Sequence, residues 1–324
     1  MASMDYEIPA NLRPDPSDYS FDLERALKSV TGLKTYVPPD AFTAAMLPTE
    51  REGSGVVIRE SGLIATIGYL IMEAETIWIT TATGRAVPGH ALAYDQESGF
   101  GLVQALGALD LPALELGDAD AIRVGDHAIF AAAGGRHHTM ETHVVGRQEF
   151  AGYWEYVLDE ALFTAPAHPA WGGSGLIGRD GKLLGIGSLV LQQGDAKGRR
   201  HDMNMVVPVS LLAPILDDLL AYGRVNRPAR PWLGMYANEA DDELVVDGLA
   251  DNGPAEEAGV QPGDRVLAVD GEEVSDLASL WRRVWACGSA GAEVRLRLVR
   301  DSRILNVTVR SADRTKFLKS PKLH

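Results

Sequence analysis

Short apolar runs separated by Gly, Asp and Pro fill the middle of the chain. From Gly53 onward they read GSGVVI, LIATIGYLI, TIWITTAT, HALAYD, GLVQAL, HAIFAAAG and HVVGRQEF. Strands that follow one another at this spacing, without long helical patterns between them, favour a β-barrel or a β-sandwich. The 324 residues suit two domains, or one large and one small domain.

Composition narrows the classes of partner. The chain is 46% hydrophobic and 23% charged, as globular proteins are, and its formal net charge is −15. Phosphate binding needs a basic patch, so the charge argues against nucleic acid and against anionic membrane surfaces. No apolar run approaches the roughly 18 residues of a membrane span, and we expect none.

Two further features concern the compartment. Cys287 is the only cysteine, so an intrachain disulfide is excluded. The first residues, MASMDYEIPANLRPDPSDYS, lack the basic start and apolar core of a secretory signal. The cytoplasm is therefore the expected compartment, with the periplasm as the alternative if a leader has been removed.

The stretch HPAWGGSGLIGRDGKLLGIGS, from His168 to Ser188, resembles the nucleophile loop of the HtrA/Deg family of trypsin-like serine peptidases. The family pattern there is NPGNSGGPLxxxxGxxxGI, and it fits without a gap. GSGVVIRESGLIATIGYLI and LGDADAIRVGDHAIFAAAGG resemble two further family segments, GSGxxIxxxGxxxTNxHV and LGDSxxxxVGxxVxAIGNPFG.

The C-terminal part is similar to a PDZ domain. GLADNGPAEEAGVQPGDRVLAVDGEEV carries the pattern SPAxxAGLxxGDxIxxVNGxxV, after a proline-rich linker, NRPARP. The resemblance implies a mainly β fold, a trypsin-like double β-barrel followed by an α+β PDZ domain. The expected boundaries are an N-terminal arm with a short helix over 1–50, a peptidase-like domain over 51–225, the PDZ domain over 226–314 and a flexible tail over 315–324.

The resemblance also places the three catalytic positions of the family. Its histidine position holds Tyr69, its aspartate position Gly99 and its serine position Gly172. A serine peptidase needs a nucleophilic oxygen, an imidazole base and a carboxylate that orients it. A tyrosine is a poor general base at neutral pH, so these substitutions predict a chain without catalytic residues.

Two alternatives for catalysis remain open. Ser174 could be the nucleophile if Gly172 to Gly175 is a shifted GxSG motif. A histidine from elsewhere could then serve as base, the candidates being His90, His127, His137, His138, His143 and His168. The adjacent His137 and His138 lack a third ligand at suitable spacing, so we expect no metal and no cofactor.

The N–H groups of an oxyanion hole belong to the backbone and do not depend on the triad side chains. The amides of Ala170 and Gly172 occupy the family's oxyanion-hole positions, and with no nucleophile they could bind a carbonyl or carboxylate without cleaving it. Trp171, between them, either covers the cleft or packs in the interior.

The PDZ resemblance predicts a groove for peptides. Such domains add an extended peptide as a strand and hold its terminal carboxylate on backbone N–H groups of a glycine-containing loop. Here that loop is Trp232, Leu233, Gly234 and Met235. The second wall is a helix with Ser275 as its expected cap, and Leu280 and Val284 are expected to face the groove. The alternative is that these are core residues and that the chain itself fills the groove.

These observations predict a catalytically inactive HtrA-like protein that binds peptides or protein C-termini through its PDZ domain. The alternative is an active serine endopeptidase of protein quality control with a non-standard site around Ser174. A third hypothesis is a chaperone-like oligomer, since the resemblance suggests a homotrimer with contacts through Tyr19 and Phe21.

Overall fold

A computed structural model describes residues 6–194, 200–240 and 243–319. The chain divides into two compact units. The first contains residues 1–148, 160–225 and 319–324, and the second contains residues 149–159 and 226–318.

The first six strands form a closed barrel in the first unit. They pair in the order β1-β2-β3-β6-β5-β4, and β4 returns to β1. In β4, TIWIT, buried and exposed residues alternate, as expected where one face of a strand meets the core. The bounds are β1 (Val30–Tyr36), β2 (Glu50–Arg59), β3 (Leu63–Ile67), β4 (Thr76–Thr80), β5 (Ala86–Tyr94) and β6 (Phe100–Ala105).

The next six strands form a second closed barrel, in the order β10-β11-β12-β9-β8-β7. Its core includes Phe130, Leu162, Leu176 and Val206, all fully buried. The bounds are β7 (His127–Ala131), β8 (Thr139–Gly152), β9 (Tyr156–Ala165), β10 (Gly175–Ile177), β11 (Leu183–Gly194) and β12 (Arg200–Pro208). The long hairpin of β8 and β9 carries residues 149–159, which belong to the second unit.

The first barrel begins earlier than the expected boundary at residue 51. Helix α1 (Leu23–Leu27) is capped by Asp22, whose carboxylate accepts from Arg25 N at 2.9 Å. Strand β1 follows at once and pairs with β2 and β4. The arm expected over 1–50 therefore supplies a strand of the barrel. The sequence did not indicate this strand, because two of its buried residues, Thr31 and Thr35, are polar and interrupt the apolar pattern.

The two aromatic residues expected at a trimer contact pack within their own chain. Tyr19 Oη donates to Glu141 Oε1 at 2.8 Å, and the Tyr19 and Phe21 ring centroids are 5.4 Å apart. The trimer stays a prediction.

The second unit is built on a six-stranded sheet. Its order is β13-β14-β15-β17-β18, with β16 paired to β15. The bounds are β13 (Met235–Ala240), β14 (Glu243–Leu249), β15 (Arg265–Val269), β16 (Glu272–Glu273), β17 (Glu293–Arg300) and β18 (Arg303–Arg310). Strand β13 lies at one end of this order, so its outer edge has no partner strand within the sheet.

Helices are few and short in the described residues. Besides α1 they are α2 (Leu216–Tyr222), α3 (Pro254–Glu257) and α4 (Leu277–Ala286). The 3-10 turns are Ala10–Leu12, Pro16–Asp18, Phe42–Ala45, Gly68–Leu70, Gly135–His138, Val209–Leu211, Ala213–Ile215 and Arg314–Phe317. Helix α4 begins with a capping box in which Asp276, not the expected Ser275, accepts from Ser279 N.

The tail expected over 315–324 is partly placed. Residues up to Phe317 form a 3-10 turn, and Lys319 N donates to Glu73 Oε1 at 2.9 Å. Residues 320–324 of that expectation lie outside the described residues. The expected mainly β fold, with two barrels followed by an α+β domain, is confirmed.

Candidate functional site

The loop between β9 and β10 is fixed by glycine. Gly173 has φ of +75°, and its N–H donates to Gly187 O at 2.9 Å. A Cβ at Gly173 would lie 1.9 Å from Ser54 O, a clash that no side chain tolerates. This close approach explains why the glycine after the nucleophile position is present although the nucleophile is not.

The structure brings the three predicted catalytic positions together. Tyr69 lies in the turn Gly68–Leu70, which directly follows β3. A Cβ built on Gly172 would lie 2.8 Å from Tyr69 Oη. Gly68 N donates to Gly99 O at 2.7 Å, which places the third position beside the first.

The Tyr69 hydroxyl is engaged in a structural hydrogen bond. It donates to Ser188 O at 2.9 Å. Burial raises the pKa of Tyr69 above its ordinary value, and a hydrogen bond from the Trp171 side chain only partly opposes that shift. A phenol with a raised pKa stays protonated at neutral pH, so it cannot take a proton from an attacking group.

The aspartate position holds a glycine in a left-handed conformation. Gly99 has φ of +83°, which is uncommon for residues other than glycine. The neighbouring carboxylate belongs to Asp95, whose Oδ2 accepts from Ser98 N at 2.8 Å and Ser98 Oγ at 2.6 Å. That carboxylate stabilises its own turn.

Ser174 lies in the interior rather than on the cleft surface. Its hydroxyl is fully buried and donates to Ala170 O at 2.6 Å, with Ser54 Oγ at 3.3 Å. Ser54 Oγ in turn accepts from Ala133 N at 3.1 Å. Among the described residues, neither an imidazole nor a carboxylate hydrogen-bonds to Ser174.

His168 takes one of the two predicted oxyanion-hole donors. Ala170 N donates to His168 Nδ1 at 3.1 Å, and His168 Nε2 faces His138 O at 3.1 Å. The Ala170 N–H is therefore engaged by the His168 ring and is not directed at an oxyanion, which corrects the prediction that included Ala170. Burial lowers the pKa of His168 to about 4, and its ring stacks on Phe130 with centroids 5.3 Å apart.

Three other candidate histidines contact neighbouring side chains. His127 and His143 pair edge to face on β7 and β8, with centroids 5.4 Å apart, and His137 Nδ1 lies 3.4 Å from Glu7 Oε2. Within residues 6–194, 200–240 and 243–319, no group of three or more His, Cys, Asp or Glu side chains could hold a metal ion. Trp171 packs against the core of the second barrel, as one of the two expectations for it required.

In the second unit, the loop Trp232–Met235, here called the carboxylate loop, is the one predicted to hold the terminal carboxylate of a peptide. Its N–H groups donate to one acidic side chain of the same chain. Glu155, in the turn between β8 and β9, accepts from Leu233 N at 3.0 Å, Gly234 N at 2.8 Å and Met235 N at 3.1 Å. Gly234 has φ of +71°, the conformation that lets successive N–H groups point to one side. Burial raises the pKa of Glu155 to about 7, although these three donors and Arg314 act against the shift.

The two residues of helix α4 that were expected to line the groove are buried. Leu280 and Val284 are fully buried within the hydrophobic cluster of the second unit, which also contains Val157 of the β8–β9 hairpin, and their assignment to the groove wall stays a prediction. Trp281, one position beyond Leu280, donates from Nε1 to Gly152 O at 2.9 Å. The alternative expectation, in which the chain fills its own groove, describes this arrangement.

Comparisons with known proteins identify both units. A trypsin-like peptidase domain model matches residues 53–186, and a PDZ domain model matches residues 231–310. Among curated relatives, a probable periplasmic serine endoprotease DegP-like protein of Halomonas elongata is 26% identical over 274 residues, covering 81% of this chain and 56% of its own length. Periplasmic serine endoprotease DegP of Escherichia coli K12 is 25% identical over 274 residues, covering 79% and 56%.

Solved structures share the fold. The HtrA-type protease AlgW with a decapeptide superposes with a TM-score of 0.55 at 22% identity, over 93% of this chain and 98% of that one. A serine endoprotease from Yersinia pestis gives a TM-score of 0.52 at 19% identity, over 95% and 99%.

The chain spans about 56% of the length of the two curated relatives. Within its described residues, none of the helices has the length and apolar character needed to cross a bilayer. In this chain a trypsin-like peptidase domain is followed by a PDZ domain, and HtrA-type proteases are among the proteins that it resembles. The chain therefore belongs to the HtrA family.

Proposed function

We propose that this chain is a catalytically inactive member of the HtrA family that binds peptides or protein C-termini through its PDZ domain. The observation that carries the proposal is the meeting of Tyr69 and Gly172. Where a peptidase has an imidazole beside a hydroxyl, this chain has a phenol that donates to Ser188 O and a residue without a side chain. Loss of single triad members already costs about 10⁴-fold or more in rate.

The surrounding backbone supports the same conclusion. Gly99 has a conformation suited to glycine, and the Ala170 amide is held by His168.

The relatives favour the alternative function, an active serine endopeptidase, because their names describe endoproteases. In this chain the available nucleophile would be Ser174. Its hydroxyl donates to Ala170 O at 2.6 Å and is fully buried, so it would need both exposure and a base before it could react.

Cleavage and labelling separate the two functions. Purified protein would be incubated with unfolded casein and with a fluorophosphonate probe, beside the Ser174→Ala variant and an active trypsin-like peptidase. We expect no cleavage and no labelling of either form. Cleavage or labelling of the unaltered chain that is lost in Ser174→Ala would overturn inactivity and establish the alternative.

Peptide binding is supported by the loop Trp232–Met235 and by the position of β13 at the end of the strand order of the sheet. Amides that converge on one carboxylate and a strand at the edge of a sheet are the two elements that hold a peptide in β-strand addition. The partners that we propose are therefore extended peptides. Homotrimer formation and chaperone-like suppression of aggregation stay predictions, which light scattering can test by the molar mass of the protein and by the aggregation of an unfolded client.

The periplasm is the compartment that we propose. Both curated relatives reported above are named as periplasmic, which supports the second of the two compartments expected from the sequence. Fractionation of a natural host that carries a tagged copy of the gene tests this, and recovery with cytoplasmic markers would contradict it.

A further inference from the structure

We propose that the turn Gly152–Glu155, here called the hairpin tip, occupies the peptide groove in the free protein, and that extended peptides with a free C-terminal carboxylate must displace it. This inference rests on the proposed peptide binding and adds the regulation of that site. It concerns residues 149–159 and 226–318, which form one compact unit.

The first support is the position of the Glu155 carboxylate. Its Oε1 is 2.8 Å from Gly234 N and 3.1 Å from both Leu233 N and Met235 N, and its Oε2 is 3.0 Å from Leu233 N. Glu155 is 5% exposed. These amides are the donors that a terminal carboxylate would use, so the side chain and a peptide end compete for the same hydrogen bonds.

The second support is backbone pairing at the sheet edge. Ala237 N on β13 donates to Tyr153 O at 3.1 Å, two residues before Glu155. Trp281 Nε1 on α4 donates to Gly152 O at 2.9 Å. The tip therefore contacts the edge of β13, the carboxylate loop and helix α4. An added peptide strand would make these same three contacts.

Contacts beside the groove hold the tip in place. Arg282 forms ion pairs with Glu149 and with Asp159, one on each side of the turn. Val157 is part of the same hydrophobic core as Leu280. The docked tip is thus attached at several points and not by its carboxylate alone.

The geometry of Glu155 explains why a free C-terminus is the fitting competitor. The chain continues past Glu155 into β9, so only the side chain can offer the loop two oxygens. Its backbone adopts φ of +57°, an uncommon conformation for a residue other than glycine. A peptide that ends at this position offers the same two oxygens from its main chain and needs no such conformation.

The test uses a probe that copies the tip. A fluorescein-labelled peptide would carry residues 149–154 followed by one alanine with a free carboxylate, and a second probe would be its C-terminal amide. Anisotropy titrations would compare the full chain with Glu155→Gln and Glu155→Ala. Glu160→Gln is the matched control, because Glu160 is an exposed carboxylate on β9 that pairs with Arg147, and both residues belong to the first unit.

We expect Glu155→Ala to bind the free-acid probe at least about tenfold more tightly than the unaltered chain, since occupation of a site lowers its apparent affinity in proportion. Glu155→Gln keeps one acceptor oxygen for the amides and should bind the probe with an affinity between these two. The Glu160→Gln variant should bind like the unaltered chain, and the amide probe should bind weakly throughout. Equal affinity of the unaltered chain and the Glu155 variants would overturn the inference. Equally tight binding of the amide probe would overturn the assignment of a free C-terminus.

Hydrogen exchange at residues 233–235 keeps the inference testable even if the probe binds nothing. The amides there should exchange slowly in the unaltered chain and in Glu160→Gln, and at least about tenfold faster in Glu155→Ala. Faster exchange without any probe binding would support the internal ligand and reject the proposed peptide binding. Unchanged exchange would reject the internal ligand itself.

Discussion

The Tyr69 phenol and the missing side chain of Gly172 complement each other in volume. The Tyr69 hydroxyl lies 2.8 Å from the place a Cβ at Gly172 would take, and it donates to Ser188 O at 2.9 Å. A serine at 172 would therefore meet the phenol before it met any substrate. A tyrosine in the histidine position is compatible with glycine in the serine position, and each restricts reversion of the other.

This fit makes a prediction for restored residues. Gly172→Ser should lower the free energy of unfolding by about 1–3 kcal/mol, because the new Cβ crowds the Tyr69 hydroxyl. Adding Tyr69→His should recover part of that loss, giving a favourable coupling of about 1 kcal/mol in a double-mutant cycle. Urea unfolding of the four proteins measures the coupling.

Gly194→Ser is the control, because among the described residues no atom beyond its immediate chain neighbours lies within 4 Å of a Cβ built there. It should change stability by less than about 0.5 kcal/mol. Strict additivity of Tyr69→His and Gly172→Ser would contradict the complementarity. Neither single variant should react with a fluorophosphonate, since Gly99 still supplies no carboxylate.

Some residue positions could be predicted from sequence and others could not. Tyr69, Gly99 and Gly172 could be placed because glycine-rich motifs on either side fix their spacing along the chain. The loss of the Ala170 donor could not, because it depends on the direction of the His168 ring. Glu155 was missed altogether, since a lone acidic residue in a turn carries no motif.

Among the elements, the β8–β9 hairpin departs most from what the sequence suggests. The helical spacing of α4 correctly indicated a helix but could not say which residues face the groove. Leu280 and Val284 are core residues, and Trp281 contacts the hairpin tip. Pairing between segments more than a hundred residues apart leaves no periodic signal in either one.

Arg282 offers a way to loosen the hairpin without touching the carboxylate loop. It forms ion pairs with Glu149 and Asp159, and its side chain is 45% exposed. Exposed pairs contribute about 0.2–1 kcal/mol each. Arg282→Gln should therefore raise the affinity for the free-acid probe about two- to fivefold, less than Glu155→Ala does.

The neighbouring Arg283 supplies the comparison for this experiment. It lies on the same helix, is 49% exposed and pairs with Glu272 at 3.4 Å, on β16. Arg283→Gln should leave the probe affinity unchanged. If both arginine variants raise it equally, general loss of positive charge near the groove is responsible rather than release of the hairpin.

Over the whole molecule, acid should act on the two units in opposite directions. In the first unit, burial lowers the pKa of His168 from 6.5 to about 4. The unfolded chain then holds more protons than the folded one between these values, so stability falls as pH falls from about 6.5 to 4. The loss amounts to about 3 kcal/mol.

In the second unit, burial raises the pKa of Glu155 from 4.5 to about 7. The facing groups are the three loop amides, Arg314, Tyr236 and the tip's own Tyr153, of which the amides and Arg314 favour the charged form. The docked tip holds the proton more tightly than the released one. Docking should therefore strengthen as pH falls from about 7 to 4.5, by up to about a hundredfold.

Two difference measurements test this opposition. The first compares free energies of unfolding in urea between pH 7.5 and 4.5. The unaltered chain should lose more stability in acid than His168→Asn does, while His127→Asn, changed at an exposed position, should lose as much as the unaltered chain.

The second measures probe binding over the same range of pH. The affinity for the free-acid probe should fall in the unaltered chain and stay nearly flat in Glu155→Gln. A probe affinity that instead rises in acid would mean that the three amides and Arg314 outweigh the cost of burying the charge, and that Glu155 docks as the carboxylate at every pH.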